Sequence, residues 1–496
     1  MNIKKRLSTG FFYIFSGRLL GGILTVLITP ILVRILGSGG YGDYAFAMAV
    51  YSVLRTLAGG GVYEGARKFI AETTDAREQT QIFHFYLGIA LLFGSLVAVS
   101  LVVFTRVAVG PFILDYSLRQ YLYIVAILVF FHAFYHLVRS SLMGFQLERY
   151  SEPMYVLNRV FFAVIGLPLA YIGYHVTGVL AGHAISTVLI VLCGSYFIAR
   201  YTDISLRRLT GIPVRLRSLI DSKLFRYGLL NVVFVLLTKS LYATDIVLLQ
   251  PFAGSEHVGY YRASLVVAEF LWFVPLALQI VLLHSTSHLW ANNRVDDINR
   301  IAQRITRYTL LLTGFMALLL VIIGQSFLEL YFGSGFATSY LPMVVLLPGV
   351  IGFAVARPIY GIGQGHGNMR VLVIATGAAA LINLVLNLLL IPSFGMIGAA
   401  IATSIGYGTM LAFHIVSARY VGFDPVTHIR MIRILAACLF PIPFLFGFSM
   451  ILVSPILRVF VISLAGLGLF IIGALLTRAL DIQELRQAWQ AIRTAG

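Results

Sequence analysis

The side chains best suited to chemistry in this sequence are arginines that interrupt apolar runs. Arg18 and Arg55 stand inside runs long enough to cross a bilayer, while Arg159 and Arg357 stand nearer the ends of two others. A charged side chain at mid-bilayer costs at least about 2.5–3.5 kcal/mol on insertion scales, so it faces a cavity or a partner. Helical rise puts Arg18 roughly 10 Å and Arg55 roughly 12 Å from the nearer ends of their runs. Two guanidinium groups at similar depth suit a phosphate or pyrophosphate, because each offers fixed, bidentate donors. The blander reading is that Arg18 reaches back to the membrane surface and Arg55 pairs locally. Arg159 and Arg357 can reach the surface more easily still, and Arg139 reads as an inner-boundary residue.

Other polar residues suggest less. Lys239 and Asp245 are six apart, which does not pair them on one helix face, so they reach neighbouring helices. Asn383 and Asn387 share a face as i,i+4 residues and could bind sugar hydroxyls or tie helices together. His132/His136 and His284/His288 are also i,i+4 pairs, but no acidic third ligand stands nearby in sequence, so no metal site is expected. Gly361 to Gly367 lacks the strand context and Lys-Ser/Thr of a nucleotide loop and reads as a turn between helices. No nucleophile–base arrangement or ATPase motif is present, so neither an enzyme nor a cofactor is expected.

The elements that position these residues follow from composition. Of 496 residues, 59% are hydrophobic and 11% charged, with a mean hydropathy of +0.92. A soluble domain has about 25% charged residues, so a water-soluble fold is excluded. We read an all-α integral membrane protein with fourteen spans: 11–36, 41–63, 81–106, 119–143, 153–174, 177–200, 224–250, 256–285, 305–327, 337–362, 368–391, 395–419, 430–452 and 456–478. The net charge of +17 fits the positive-inside rule better than nucleic-acid binding. With the amino terminus inside, 26 of the 36 Lys and Arg fall on the inner side and five on the outer. That asymmetry implies both termini in the cytoplasm and location in the cell membrane. Leu206, Leu209, Leu216 and Leu219 in the basic inner loop, and Ile482, Leu485, Trp489 and Ile492 in the tail, suggest helices lying on the membrane surface. Cys193 and Cys438 sit in apolar runs and read as buried small hydrophobes.

The chain also repeats. Gly37-Ser38, Gly42 and Tyr44 recur as Gly254-Ser255, Gly259 and Tyr261; Arg139 and Gln146 recur as Arg357 and Gln364; Gly178 recurs as Gly398. This division gives an N-terminal lobe over 1–200, a basic linker over 201–223 and a C-terminal lobe over 224–420. Two added spans over 421–478 and an amphipathic tail over 479–496 complete it. Parallel repeats of this kind are a transporter signature.

At these residues a resemblance enters. The stretch ILVRILGSGGYGDYAFAMAVYSVL followed by GVYEGARKFIAE, with RSSLMGFQLER (139–149) and RPIYGIGQGHGNMR (357–370), resembles polysaccharide transporters of the Wzx type in the multidrug/oligosaccharidyl-lipid/polysaccharide exporter superfamily. The resemblance implies two lobes around a V-shaped cavity. It also implies translocation of a polyprenyl-linked oligosaccharide from the inner to the outer leaflet, with membrane lipids and polysaccharide-assembly enzymes as partners. Lipid II flippases of the same superfamily carry cavity arginines on early helices, in keeping with Arg18 and Arg55. Related drug exporters place cation-coupling carboxylates on helices 7 and 8, which makes Asp245 and Glu269 candidates for H⁺ or Na⁺ coupling, against a structural ion pair with Lys239. A cation-coupled multidrug exporter or a lipid II flippase of the same fold is the alternative. A glycosyltransferase or polymerase needs a long outer loop that this sequence lacks.

Overall fold

The computed structural model describes the backbone of residues 3–59, 63–107, 116–202, 204, 223–427 and 429–480. Side chains are described from residues 20, 117 and 229 in the stretches that begin before them. Regular secondary structure among these residues is helical throughout. Ten stretches, from Leu20–Leu57 to Pro455–Leu476, are long and apolar enough to cross a membrane. Their outer faces carry large apolar side chains such as Leu92, Phe104 and Leu464, which lipid accommodates and water does not. The protein is a multi-pass membrane protein. The basic linker and the tail beyond residue 480 lie outside the described residues.

Five of the ten stretches run to 38 residues or more. Val295–Phe332 is continuous, whereas the other four, three of them far longer than one crossing of a roughly 30 Å hydrocarbon core needs, are broken inside. One glycine breaks each of them: Gly37 (φ 70°, ψ −178°), Gly173 (φ 108°, ψ 0°), Gly254 (φ 79°, ψ 170°) and Gly395 (φ 54°, ψ −131°). Positive φ is open to glycine without a Cβ penalty. Taken in order, the helices are α1 (3–36), α2 (38–57), the short α3 (Tyr63–Ala71), α4 (Ala76–Val107), α5 (Tyr116–Gly144), α6 (Glu148–Leu169, continued by a π-turn to Tyr174) and α7 (His175–Tyr201). There follow α8 (223–253), α9 (255–268), α10 (Phe273–Ala291), α11 (Val295–Phe332), α12 (Tyr340–His366), α13 (369–394), α14 (396–421), α15 (Met431–Leu439), α16 (Ile442–Ile451) and α17 (Pro455–Leu476).

Two of the recurring glycine pairs share local backbone geometry. Gly37 and Gly254 adopt nearly the same φ/ψ. A Cβ at Gly178 would meet the Leu169 carbonyl carbon at 2.8 Å, and one at Gly398 would meet the Leu390 oxygen at 2.3 Å. Both glycines therefore seat a helix against the backbone of the helix before it.

The chain forms two compact units, Met1–Gly259 and Tyr260–Gly496. The division falls later than the sequence lobes suggest, and one close packing accounts for it. A Cβ at Gly42 would lie 1.7 Å from the Ser255 oxygen, and one at Gly259 would lie 2.0 Å from the Ser38 oxygen. The start of α9 is thus seated on the start of α2. In the first unit, Tyr63, Ile70, Ile82, Tyr86 and Leu137 form a core that joins α3, α4 and α5. In the second, α10, α11, α12 and α14 meet around Leu282, Ile298, Ile359 and Ala418, and Phe315 stacks on Phe470 to hold α17.

Two local expectations are corrected. Gly361 to His366 is not a turn: α12 runs through it to His366, and the break comes at Gly367 (φ 89°). The glycines let α12 lie close to α10, since a Cβ at Gly361 would meet the Gln279 oxygen at 2.8 Å and one at Gly365 would meet Thr286 Oγ1 at 2.6 Å. The second span ends at Leu57, not at 63. Gly59 leaves space for the Tyr63 ring to fold back over it, and the Tyr63 hydroxyl donates to the Ala58 oxygen at 3.1 Å.

Candidate anion-binding site in the first unit

These helix ends change the depths of the two key arginines. Arg55 lies in the last turn of α2, where a cation complements the carbonyl end of the helix dipole. It is not buried eight residues deep. Arg159 is the deeper one. It is the twelfth residue of α6, counting from Glu148, roughly 16 Å along the helix by its rise. The side chain of Arg18 lies outside the described residues.

Each arginine caps an aromatic ring four residues earlier, the spacing that brings side chains together on a helix. Arg55 lies 5.5 Å from the Tyr51 centroid, Arg139 5.6 Å from Tyr135 and Arg159 4.7 Å from Tyr155. Tyr155 also receives Arg139 on its ring at 5.6 Å. His132 joins Tyr51 to Tyr135: its Nδ1 is 2.7 Å from the Tyr51 hydroxyl and its ring centroid 5.3 Å from that of Tyr135. A continuous cation–aromatic network therefore spans α2, α5 and α6.

Within the network Arg55 and Arg159 are positioned without being neutralised, whereas Arg139 is paired. Arg159 donates to the Tyr155 hydroxyl at 2.6 Å and to the Thr25 hydroxyl on α1. Thr25 donates in turn to the Gly21 oxygen at 2.9 Å, which leaves its lone pairs for Arg159. Gly21 makes the space: a Cβ there would meet Tyr155 Cε1 at 2.5 Å and Arg159 Nε at 3.1 Å. Arg139 pairs with Glu152 at 3.3 Å and donates to the Ser151 oxygen at 3.2 Å. Among the described residues, Arg55 and Arg159 have no carboxylate partner.

The remaining candidates stand on other helices. In the second unit, Arg357 is 6% exposed, lies over Phe353 and Trp272 at 4.7 and 4.9 Å, and donates to Gln279 and to the Tyr360 hydroxyl. It repeats the geometry of Arg139 over Tyr135 inside an aromatic cage. Asn383 and Asn387 are buried where α13 packs on α14: Asn383 donates to the Ala402 oxygen at 3.4 Å and Asn387 to the Asn383 oxygen at 2.9 Å. Asp245 is sealed from solvent and accepts from the Ile246 amide at 2.8 Å, Lys239 lies 5.4 Å from the Tyr242 ring, and Glu269 pairs with Arg262 at 3.9 Å.

Sequence reasoning missed Tyr51, Tyr135 and Tyr155, although an aromatic residue four before each arginine was there to be read. It weighed His132 only as a metal ligand, whereas its Nδ1 is 2.7 Å from the Tyr51 hydroxyl. That link joins residues 81 apart, and no local pattern carries it.

With this geometry in place, the likenesses to known proteins can be weighed. The family described as "Polysaccharide biosynthesis protein" matches residues 7–269, more than half of the chain. The chain belongs to that family. Residues 232–389 also match the MatE family. An uncharacterized membrane protein of Methanocaldococcus jannaschii is 24% identical over 360 residues, 70% of this chain and 68% of its own length. The probable flippase AglR of Haloferax volcanii is 25% identical over 416 residues, 81% of this chain and 82% of its own. The solved structure of the lipid II flippase MurJ in an inward closed conformation covers 95% of this chain and 99% of its own, with a TM-score of 0.73 and 14% identity. At that identity the likeness establishes the fold.

Proposed function

We propose that this protein is a flippase that moves polyprenyl phosphate- or pyrophosphate-linked oligosaccharide from the inner to the outer leaflet by alternating access, for surface polysaccharide or glycoprotein glycan assembly. The observation that carries the reading is Arg159 of α6, held by two hydroxyls with no carboxylate partner among the described residues, together with Arg55, which lies over Tyr51 and also lacks one there. Guanidinium groups fixed in this way are built for an anion. The family and the AglR likeness supply the substrate class. In this reading Arg55 and Arg159, joined by Arg18, hold the phosphate groups, and Arg139 is held by Glu152. Arg357, Asn383 and Asn387 brace the second unit, and Asp245 and Glu269 serve packing. Fourteen spans, two repeated lobes and both termini in the cytoplasm of a cell-membrane protein belong to the same proposal, supported by ten apolar stretches of which four are broken at a glycine.

The match to the MatE family over 232–389 supports a second reading, a cation-coupled exporter. Unbalanced arginines repel a cationic drug in a low-dielectric space, which favours the first. The test places purified protein in liposomes with a fluorescent polyprenyl-diphosphate oligosaccharide and follows leaflet exposure with a membrane-impermeant quencher. Protein-dependent transfer that Arg159→Ala or Arg55→Ala abolishes supports the flippase. Transfer indifferent to both arginines, or ion-driven uptake of an amphipathic cation in its place, overturns it.

A further inference from the structure

A histidine pair adjoins the arginine network and has no part in the function above. His132 and His136 stand one turn apart on α5, their ring centroids 4.6 Å apart and edge to face. His132 is 8% exposed, and its Nδ1 is tied to the Tyr51 hydroxyl at 2.7 Å. Its Nε2 is buried with no partner among the described residues. His136 stacks on Tyr63 of α3, with centroids 6.4 Å apart. A histidine kept only for structure satisfies its buried ring nitrogens; this one keeps a buried polar atom unspent.

The groups bearing on the pair are few. Arg55 of α2 lies over the Tyr51 ring and Arg139 of α5 over the Tyr135 ring, and both tyrosines touch the pair. Tyr51 from α2, Tyr63 from α3 and Tyr135 from α5 touch one ring or the other. Tyr86 of α4 closes over Gly65 in the α3 core. Glu152 of α6 is engaged by Arg139. Two fixed cations thus stand one tyrosine ring away from the imidazoles, and the carboxylate nearby is already taken, so the local field is cationic. A doubly charged anion on the arginines reverses that field. Proton and anion then each favour the binding of the other, by the same factor.

We propose that His132 and His136 form a proton-binding site coupled to the anion site, so that the protein takes up a proton from water onto a ring nitrogen when a diphosphate diester binds and returns it when the diester leaves. This rests on the anion-binding reading of Arg55 and Arg159 and deepens it. It makes headgroup charge a basis of selection: a diphosphate diester carries two fixed charges and engages the pair, whereas a single phosphodiester carries one.

The experiment is calorimetric titration of the full-length protein in detergent, repeated in buffers of different ionisation enthalpy at pH 7 to count protons. The probes are a short-prenyl diphospho-N-acetylglucosamine and its monophosphate analogue, neither of which titrates near that pH. Wild type is expected to take up about one proton per diphosphate and much less than one per monophosphate. Its diphosphate affinity should rise by up to about tenfold per unit fall in pH towards 6. His132→Gln/His136→Gln should bind the diphosphate more weakly, with no proton uptake and a flat pH profile. Tyr51→Phe, which keeps both imidazoles, should keep the uptake but move the pH at which it is half-complete, and an unmoved midpoint counts against the pair. Diphosphate binding that depends on Arg159 but takes up no proton, or an uptake unchanged in the double variant, overturns the histidine site and leaves the anion site standing. Absence of any arginine-dependent binding overturns both.

Discussion

Arg159 lies over the ring of Tyr155, 4.7 Å from its centroid, and donates to that ring's own hydroxyl at 2.6 Å. A guanidinium has five N–H donors in a rigid fork, so the tyrosine orients the cation without consuming it. Arg159→Lys keeps the charge but loses the fork and the stacking. Flipping should fall by about tenfold for lysine, and by about a hundredfold or more for alanine, if one charge-assisted pair of bonds is worth about 1.5–3 kcal/mol. A quencher assay in liposomes, with expression and thermal melting as controls, reads this directly.

Gly21 is expected to matter as much as the arginine it faces. A Cβ there meets Tyr155 at 2.5 Å and Arg159 at 3.1 Å. Gly21→Val should therefore displace both side chains and depress transport while leaving helix α1 intact, because valine is tolerated in a helix. If Gly21→Val transports like wild type, the orientation of Arg159 is not what the site needs.

Single and double variants of the Arg139–Glu152 pair should differ in stability. Glu152 is 5% exposed and Arg139 is its cation at 3.3 Å. Removing Arg139 alone strands a buried carboxylate and should cost about 3 kcal/mol, whereas Arg139→Met/Glu152→Met should recover most of that loss. Melting of the detergent-solubilised protein, followed by size-exclusion chromatography, distinguishes the two.

The packing of α9 on α2 is open to cross-linking. The Ser38 hydroxyl lies 3.4 Å from Glu256 Oε1, so Ser38→Cys/Glu256→Cys should be joined by a short bifunctional thiol reagent that spans the length of the lost glutamate. Adding Gly42→Val, which puts atoms where the Ser255 carbonyl stands, should sharply reduce the yield. Equal yields with and without the valine would show that this close approach does not hold the hairpin.

How much of this could be read from the chain depends on the range of the interaction. The apolar runs, the repeat at Gly37 and Gly254 and the choice of Arg55 and Arg159 all follow from local composition and spacing. The ends of helices do not. Span 2 reads as apolar to residue 63, yet it stops at Leu57 because Tyr63 folds back over Gly59, a preference of packing and not of hydropathy. Arg159 looks shallow from its distance to Pro153, but α6 carries that proline in its first turns and starts at Glu148, as helix N-termini allow. The Tyr51–His132 link is set wholly by tertiary packing.

The reciprocal seating of Gly42 on Ser255 and Gly259 on Ser38 also bears on how such a chain can diverge. Each contact is made to a carbonyl oxygen, which every amino acid carries, so the partners of the glycines can drift in side chain without breaking the seat. The glycines cannot, since any Cβ occupies the carbonyl's place. Half of the duplicated motif is therefore free to vary and half is frozen, and the frozen half is held by the other copy of the repeat, not by the ligand.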